Sequence, residues 1–376
     1  MTKVIGIDLG TTFSAIASLD DLGNPEVLAS IEDNRKITAS AIYLKDNEVI
    51  VGDKALTYLK DQSNNVILQT KREMENDVVY STDQGKWVSD TDLVDAYTPA
   101  QVSALILKKL KEYTSDVKKV VITVPAMFAE KARQATLDAA KIADLEVIEL
   151  INEPTAAVLH YASLPGVEVG GRVMIFDLGG GTFDVTFAEV KNKKVDVLTS
   201  RGDKYLGGRD FDNEITKLMK KKYFDIHNVE IDIENNKQYL HKAEEVKKIL
   251  SVKDKANIEI NGPQGLQKIE ITQEEFEESI QTYIEKIKML IEEAMDASGM
   301  NPSRINQTLL VGGSTRMPII TKVLTQLMGK APVKGVNVDE AVVCGAAIYA
   351  GLKTEKETLS DEQQEALKDV NLTDVC

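Results

Sequence analysis

Apolar and polar positions alternate along Lys3–Asp8, break at Leu9-Gly10-Thr11-Thr12, and give way to a mostly apolar run at Phe13–Leu19. Period-two alternation ending in a glycine turn predicts a strand, a tight connection and a returning strand. Ala100–Tyr113 sets its apolar residues at helical spacing and predicts a helix. Lys119–Val124 is a β-rich run stopped by Pro125, Glu130–Ala143 an alanine-rich helix, and Glu146–Ile151 a further strand. Glu153–Ala162 reads as a helix with Pro154 in its first turn, where a missing N–H costs little.

The pattern restarts in the second half. Arg172–Asp177 is a strand, Gly179-Gly180-Gly181 a turn, and Phe183–Val190 the next strand. Phe211–Tyr223 and Lys237–Leu250 read as polar-rich helices, and Asn257–Thr272 as a hairpin turning at Asn261-Gly262-Pro263 and Gly265. Glu274–Ser298 is one long helix, or two meeting at a break. Thr308–Val311 is a buried strand leading into Gly312-Gly313, and Glu340–Leu352, rich in Ala and Gly, a helix packed closely against a neighbour. Thr354–Cys376 is polar and acidic and predicts a solvated tail, with Val370, Leu372 and Val375 the only apolar set able to dock it.

One turn occurs in both halves. Val4-Ile5-Gly6-Ile7-Asp8-Leu9-Gly10-Thr11-Thr12 is echoed by Val173-Met174-Ile175-Phe176-Asp177-Leu178-Gly179-Gly180-Gly181-Thr182. A single such turn is an ordinary hairpin; two in register predict two similar lobes facing a shared cleft. Glycine lets backbone N–H groups approach phosphate oxygens, and threonine hydroxyls add donors. An aspartate at a strand end can hold Mg²⁺ through its waters, because that ion keeps much of its hydration. The pair therefore predicts a clamp on a polyphosphate and its metal. A third glycine turn, Val311-Gly312-Gly313-Ser314-Thr315-Arg316-Met317-Pro318, follows a strand and opens the helix Ile319–Met328, whose N–H groups suit a phosphate or sugar edge. The Walker pattern GxxxxGK[ST] is absent, and Gly179–Gly181 runs into a strand, which removes the dinucleotide-binding reading.

Composition then narrows the class. A chain of 376 residues exceeds one ordinary core, so two lobes or domains are expected. With 43% hydrophobic and 28% charged residues it reads as soluble and globular, and no run reaches the ~18–20 apolar residues of a membrane span. A formal net charge of −15 repels nucleic acid. The three histidines, His160, His227 and His241, are too scattered to suggest a metal site. Two cysteines, Cys344 and Cys376, give no disulfide framework, and the start of the chain lacks a signal-peptide pattern; a reducing cytoplasm fits both.

The three turns, in this order, resemble the superfamily of actin, sugar kinases and heat-shock chaperones. Taken alone they would also serve a small-molecule kinase or a filament-forming protein. Longer segments select the DnaK-type heat-shock chaperone family: Ile5–Thr12, Val124-Pro125-Ala126-Met127-Phe128, Ile151-Asn152-Glu153-Pro154-Thr155-Ala156-Ala157, Phe176–Asp184, Leu206-Gly207-Gly208-Arg209-Asp210-Phe211-Asp212 and Val311–Pro318. The resemblance spans essentially the whole chain. It implies an α/β, two-lobed actin-like ATPase fold with duplicated ribonuclease-H-like mixed sheets flanked by helices. Lobe I would cover 1–168, completed by a helix at 340–356. Lobe II would cover 169–339, with an adenosine-binding subdomain at about 208–290, and 357–376 would be a tail with a linker-like segment.

Position by position, the resemblance assigns roles. Asp8 and Asp177, supported by Asp184, would hold hydrated Mg²⁺; Gly10, Thr11, Thr12, Phe13, Gly179, Gly180, Gly181 and Thr182 would contact phosphates, with Gly207 and Gly208 nearby. Lys71 would position the attacking water with Thr182, and Glu153 would stand near water and metal. Unaided, Lys71 reads as a surface lysine. Adenosine would lie between Glu244, Lys247, Lys248 and Ser251, whose spacing shares one helix face, and Gly312, Gly313, Ser314 and Arg316, with Asp339 at the base end. Pro125 and Arg133 resemble the family's relay from nucleotide to partner surface. The implied ligands are ATP or ADP with Mg²⁺, and K⁺ is admitted beside them. The implied partners are a J-domain co-chaperone, a nucleotide-exchange factor, and client polypeptides held by a substrate-binding domain this chain lacks.

The chain departs from the family pattern in places. Phe13 stands where a polar residue or tyrosine is common, so its phosphate contact would be through backbone. Val338 replaces a usual proline, and the hairpin near Asn261 is short in a region where exchange factors bind, which leaves that partner open.

Overall fold

Two sheets built on one plan organise the chain. The computed structural model describes residues 4–46, 48–93, 95–115, 117–164, 171–234, 236–333 and 337–373. In the first sheet, Ile5–Asp8 pairs in parallel with Lys119–Val124 and antiparallel with Phe13–Leu19, Asp8 lying opposite Ala15. In the second, Gly171–Leu178 pairs in parallel with Gln307–Val311 and antiparallel with Phe183–Lys191, Asp177 lying opposite Asp184. Glu146–Asn152 and Pro25–Val27 extend the first sheet, and Lys194–Asp203 the second. Each repeated acid thus ends a central strand, and each glycine turn leaves its sheet at the equivalent place. Central strands covered on both faces read as continuous apolar runs, and Val173, Met174, Ile175 and Phe176 are all buried.

Two helices fill the layer between the sheets. Ala341–Lys353 packs on the first sheet and Glu153–Ser163 on the second, and the two cross. Every residue from Ala341 to Gly351 is buried. At the crossing a Cβ on Gly345 would stand 1.8 Å from the carbonyl oxygen of Ala156, so only glycine permits that approach. The Ala- and Gly-rich composition follows from this contact.

Smaller units rise from each sheet and wall the cleft. On the first side, Ala41–Lys45 pairs with Glu48–Val51 and Val66–Leu68, and Val79–Ser81 pairs with Lys86–Val88 and Ala96–Tyr97. On the second side stand the helices Gly208–His227 and Lys237–Leu250 and the hairpin Lys255–Gly262/Gly265–Thr272. The predicted long helix is two helices, Gln273–Ser279 and Gln281–Ser298, joined at Ile280.

Two expectations are corrected. The third glycine turn does not open a helix directly: Gly313–Arg316 forms a 3₁₀ turn, and the α-helix begins only at Pro318, which has no N–H to offer. The tail is not solvated. Its helix Asp361–Leu367 buries Leu367, Leu359 and Val370 are buried beside it, and Asn371–Thr373 adds a parallel strand to Lys194–Asp203, Leu372 opposite Val195. A few apolar side chains and an open sheet edge suffice to order a segment whose composition is polar. The expected lobe boundary at 168–169, together with Val375 and Cys376, lies outside the described residues. Among the described residues no helix is long and apolar enough to cross a membrane.

Candidate functional site

The cleft between the sheets encloses a cavity of about 1420 Å³. Both repeated turns line it through Asp8, Gly10, Thr11, Thr12 and Phe13 on one side and Asp177, Gly179, Gly180 and Thr182 on the other. Lys71 and Glu153 line its floor, Glu244, Lys247, Lys248 and Ser251 one wall, and Gly312, Gly313, Ser314, Arg316 and Asp339 the opposite rim. Those residues lie hundreds of positions apart, and the two-sheet plan brings them together.

Four predicted residues stand one layer behind the lining. Gly181 packs against Thr11 and gives its carbonyl to Arg72. Asp184 is buried and accepts backbone hydrogen bonds from Ala126 and Met127. Gly207 packs on Gly180 and Gly181, and Gly208 on Ser314 and Lys247.

The turns meet face to face across the cleft. A Cβ on Gly180 would stand 1.8 Å from Thr12 Oγ1, and one on Gly181 2.6 Å from Thr11 Oγ1. Threonines of the first turn occupy the space that glycines of the second leave open. Within the first turn, Ser40 Oγ donates to the Gly10 carbonyl at 2.8 Å and Gly10 N–H donates to Ser14 Oγ at 3.1 Å. The second turn is closed by Gly179 N–H on the Thr182 carbonyl, and Ser314 Oγ from the third turn donates to the Gly179 carbonyl at 2.9 Å.

Acids crowd the floor. Burial, followed by the Glu153 charge, raises the Asp8 carboxyl to about 6, against the pull of Lys71 and of Thr123, whose hydroxyl donates to Asp8 at 2.8 Å. Burial and the charges of Glu153, Asp184 and Asp8 raise Asp177 well above the carboxylate range. Burial, then Glu153, raises Asp184 to about 8. Lys71, far from a surface residue, is 7% exposed and ion-paired with Glu153. Glu153 sits in the first turn of its helix, where the dipole favours an acid. Buried carboxylates that hold one another's protons form a site short of positive charge. Oxygen donors of this kind match the ligand chemistry of Mg²⁺. Lys71 alone does not balance the floor.

Side-chain contacts tie the residues around the cleft to one another, and the sequence assigned no role to the first of them, Arg72. Arg72 reaches across the cleft: Nε and Nη2 donate to the Gly181 carbonyl at 3.0 and 2.8 Å, and Nη1 donates to Asp210 at 3.2 Å. Its adjacency to Lys71 was the only available hint. Asp212 lines the cavity beside Lys247; burial raises its carboxyl to about 6 while the Lys247 ammonium pulls it down. Lys248 lies 5.8 Å from the centre of the Phe13 ring, a cation–π contact that gives the unusual aromatic a role. Arg316 and Asp339 pair at the rim. Arg133 donates to the Phe128 carbonyl at 3.1 Å and to Asn152 Oδ1 at 2.7 Å, tying the Pro125 turn to the residue before Glu153.

Duplicated sheets, crossed central helices and a glycine-lined cleft over buried acids define a two-lobed protein of the actin-like class. The sequence profile described as Hsp70 protein matches residues 4–376. The chain is 37% identical over 380 residues to "Chaperone protein dnaK" of Thalassiosira pseudonana, covering 94% of this chain and 62% of that protein. It is 37% identical over 391 residues to "Chaperone protein DnaK" of Thermosipho africanus (strain TCF52B), covering 99% of this chain and 62% of that protein. The chain belongs to the Hsp70 protein family. It spans about three-fifths of the length of these relatives.

Proposed function

We propose that this chain is the ATP-binding and ATP-hydrolysing part of a molecular chaperone. The observation that carries this reading is the buried Lys71–Glu153 pair set between the acids of two interlocked glycine turns. The turns' N–H and hydroxyl donors would hold the phosphates, and Asp8 and Asp177, with Asp184 behind them, would hold hydrated Mg²⁺. That ion, when bound, would neutralise phosphate charge. Lys71 and Thr182 would orient a water for in-line attack on the γ-phosphate, because phosphoryl transfer needs positioning and charge stabilisation more than covalent help. Glu153 keeps the Lys71 ammonium aimed into the cleft. Adenosine would lie between the Glu244–Ser251 face and the third turn.

The lobe division is 1–168 with 340–356, against 169–339, with about 208–290 as the adenosine-binding part and 357–376 as the linker-bearing tail. Hydrolysis would change the angle between lobes, a hinge motion read by a substrate-binding domain outside these residues. A J-domain co-chaperone, a nucleotide-exchange factor and client polypeptides are the partners of that cycle, with Pro125 and Arg133 relaying to the partner surface. The setting is protein folding in the cytoplasm.

A turnover assay with Mg²⁺ and ATP, with and without a J-domain protein, tests this. Lys71→Ala should keep nucleotide binding and lose about 100-fold or more in hydrolysis. Normal turnover in that variant would sink the assignment, and phosphorylation of a small acceptor would point to a kinase of the same fold.

A further inference from the structure

We propose that Asp212 is a positioning residue for the ligand, acting through Lys247; this rests on the nucleotide reading above. Asp212 lies on helix Gly208–His227, one turn from its start, and Lys247 on the neighbouring helix Lys237–Leu250. Both are buried and both line the cavity. The Lys247 ammonium stands 2.7 Å from Asp212 Oδ1 and donates to the Gly208 carbonyl at 2.8 Å.

An ammonium has three donors. The Gly208 carbonyl takes one direction, Asp212 stands over another as the ion-pair partner, and the donor capacity that remains is open to the cavity Lys247 lines. Both partners are themselves fixed to the second turn. Gly208 N–H donates to the Gly179 carbonyl at 2.9 Å and Arg209 N–H to the Gly180 carbonyl at 2.8 Å. Asp212 therefore sets where the Lys247 donor points relative to the phosphate-binding backbone. Without the carboxylate, a buried ammonium is poorly compensated and either withdraws or gives up its proton. A carboxylate touching the ligand directly would instead repel phosphate.

A double-mutant cycle separates acting through Lys247 from acting alone. Affinity for ADP and melting temperature are measured for the native chain, Asp212→Asn, Lys247→Met and the double variant. Asp212→Asn should weaken ADP binding by roughly 10–100-fold. Asp212→Glu, which keeps the charge, should recover part of that loss. The double variant should bind no more weakly than Lys247→Met. Asp212→Asn binding within about twofold of the native chain, or losses that add in the double variant, would overturn the inference. Should Asp212→Asn not fold, Lys247→Met against the double variant decides alone, since removing both partners leaves no lone buried charge: equal affinity supports the inference and a further loss overturns it. A native chain that binds no nucleotide overturns the proposed function as well; a native chain that binds, with additive losses, overturns this inference only.

Discussion

The first and second glycine turns share a sequence pattern but are held in place differently. The first is secured by its own lobe: Ser14 and Ser40 hydrogen-bond Gly10, and the Ser40 N–H donates to the Thr12 carbonyl. The second is tied within its own lobe by the Gly208 and Arg209 N–H groups and is also reached from across the cleft. Arg72 reaches its Gly181 carbonyl from the opposite lobe, and Ser314 reaches Gly179 from the third turn. The first turn also presents threonines where the second presents glycines, so each fills space the other lacks. The repeated turns are thus held unlike each other, and the second takes a side-chain hydrogen bond from Arg72 across the cleft.

The largest test of this difference is on the acids. Asp8→Asn and Asp177→Asn should each reduce Mg²⁺-dependent turnover by about 100-fold or more if both turns serve the same phosphate group. A large loss in one and almost none in the other would break the symmetry of the clamp.

Next comes the interlock. Gly180→Val places side-chain atoms where Thr12 stands, and overpacking of this kind costs about 1–3 kcal/mol, read as a lowered melting temperature. Gly179→Ala is the control, because the nearest atom to its added Cβ is 3.7 Å away. Equal destabilisation by both would mean that the turns do not interlock.

Arg72→Ala sharpens the claim that the second turn is held from across the cleft. Losing its bonds to Gly181 and Asp210 should cost about 1–3 kcal/mol of stability, while Ser40→Ala should leave the second turn's ligand contacts intact. Nucleotide affinity in the two variants separates the turns.

A separate test concerns Lys237, which bridges the lobes elsewhere, donating to the Ser63 and Val66 carbonyls at 3.0 and 2.7 Å. Burial, then Arg209, lowers its ammonium to about 7. A folded-state value depressed below the unfolded one gives stability that is present above the unfolded value near 10.5 and is lost as pH falls through about 7. Denaturation curves between those limits should therefore show stability rising with pH, and Lys237→Met should flatten that rise. An unchanged slope in the variant would remove the bridge from the account.

Most of the architecture was legible because central strands are continuous apolar runs and the turns between them carry glycine. Asp8 and Asp177 were legible for the same reason: a repeat announces itself. Lys71, Asp212 and Arg72 were not readable from spacing, since their partners Glu153, Lys247 and Gly181 are distant in sequence and meet only in the folded chain. The tail was misread because docking rested on Leu359, Leu367 and Val370 scattered through polar chain, and on a sheet edge invisible in one dimension. The short strands from Ala41 to Tyr97 escaped because two- to five-residue runs carry too little periodicity.

The central claim is that the two turns form one Mg²⁺-dependent phosphate clamp. Calorimetric titration of Lys71→Ala with ATP, in Mg²⁺ and then in a chelator, measures it directly, because the slow variant preserves the bound state. The account predicts saturable one-to-one binding that weakens sharply when Mg²⁺ is removed. Absence of binding, or binding indifferent to the metal, would contradict it.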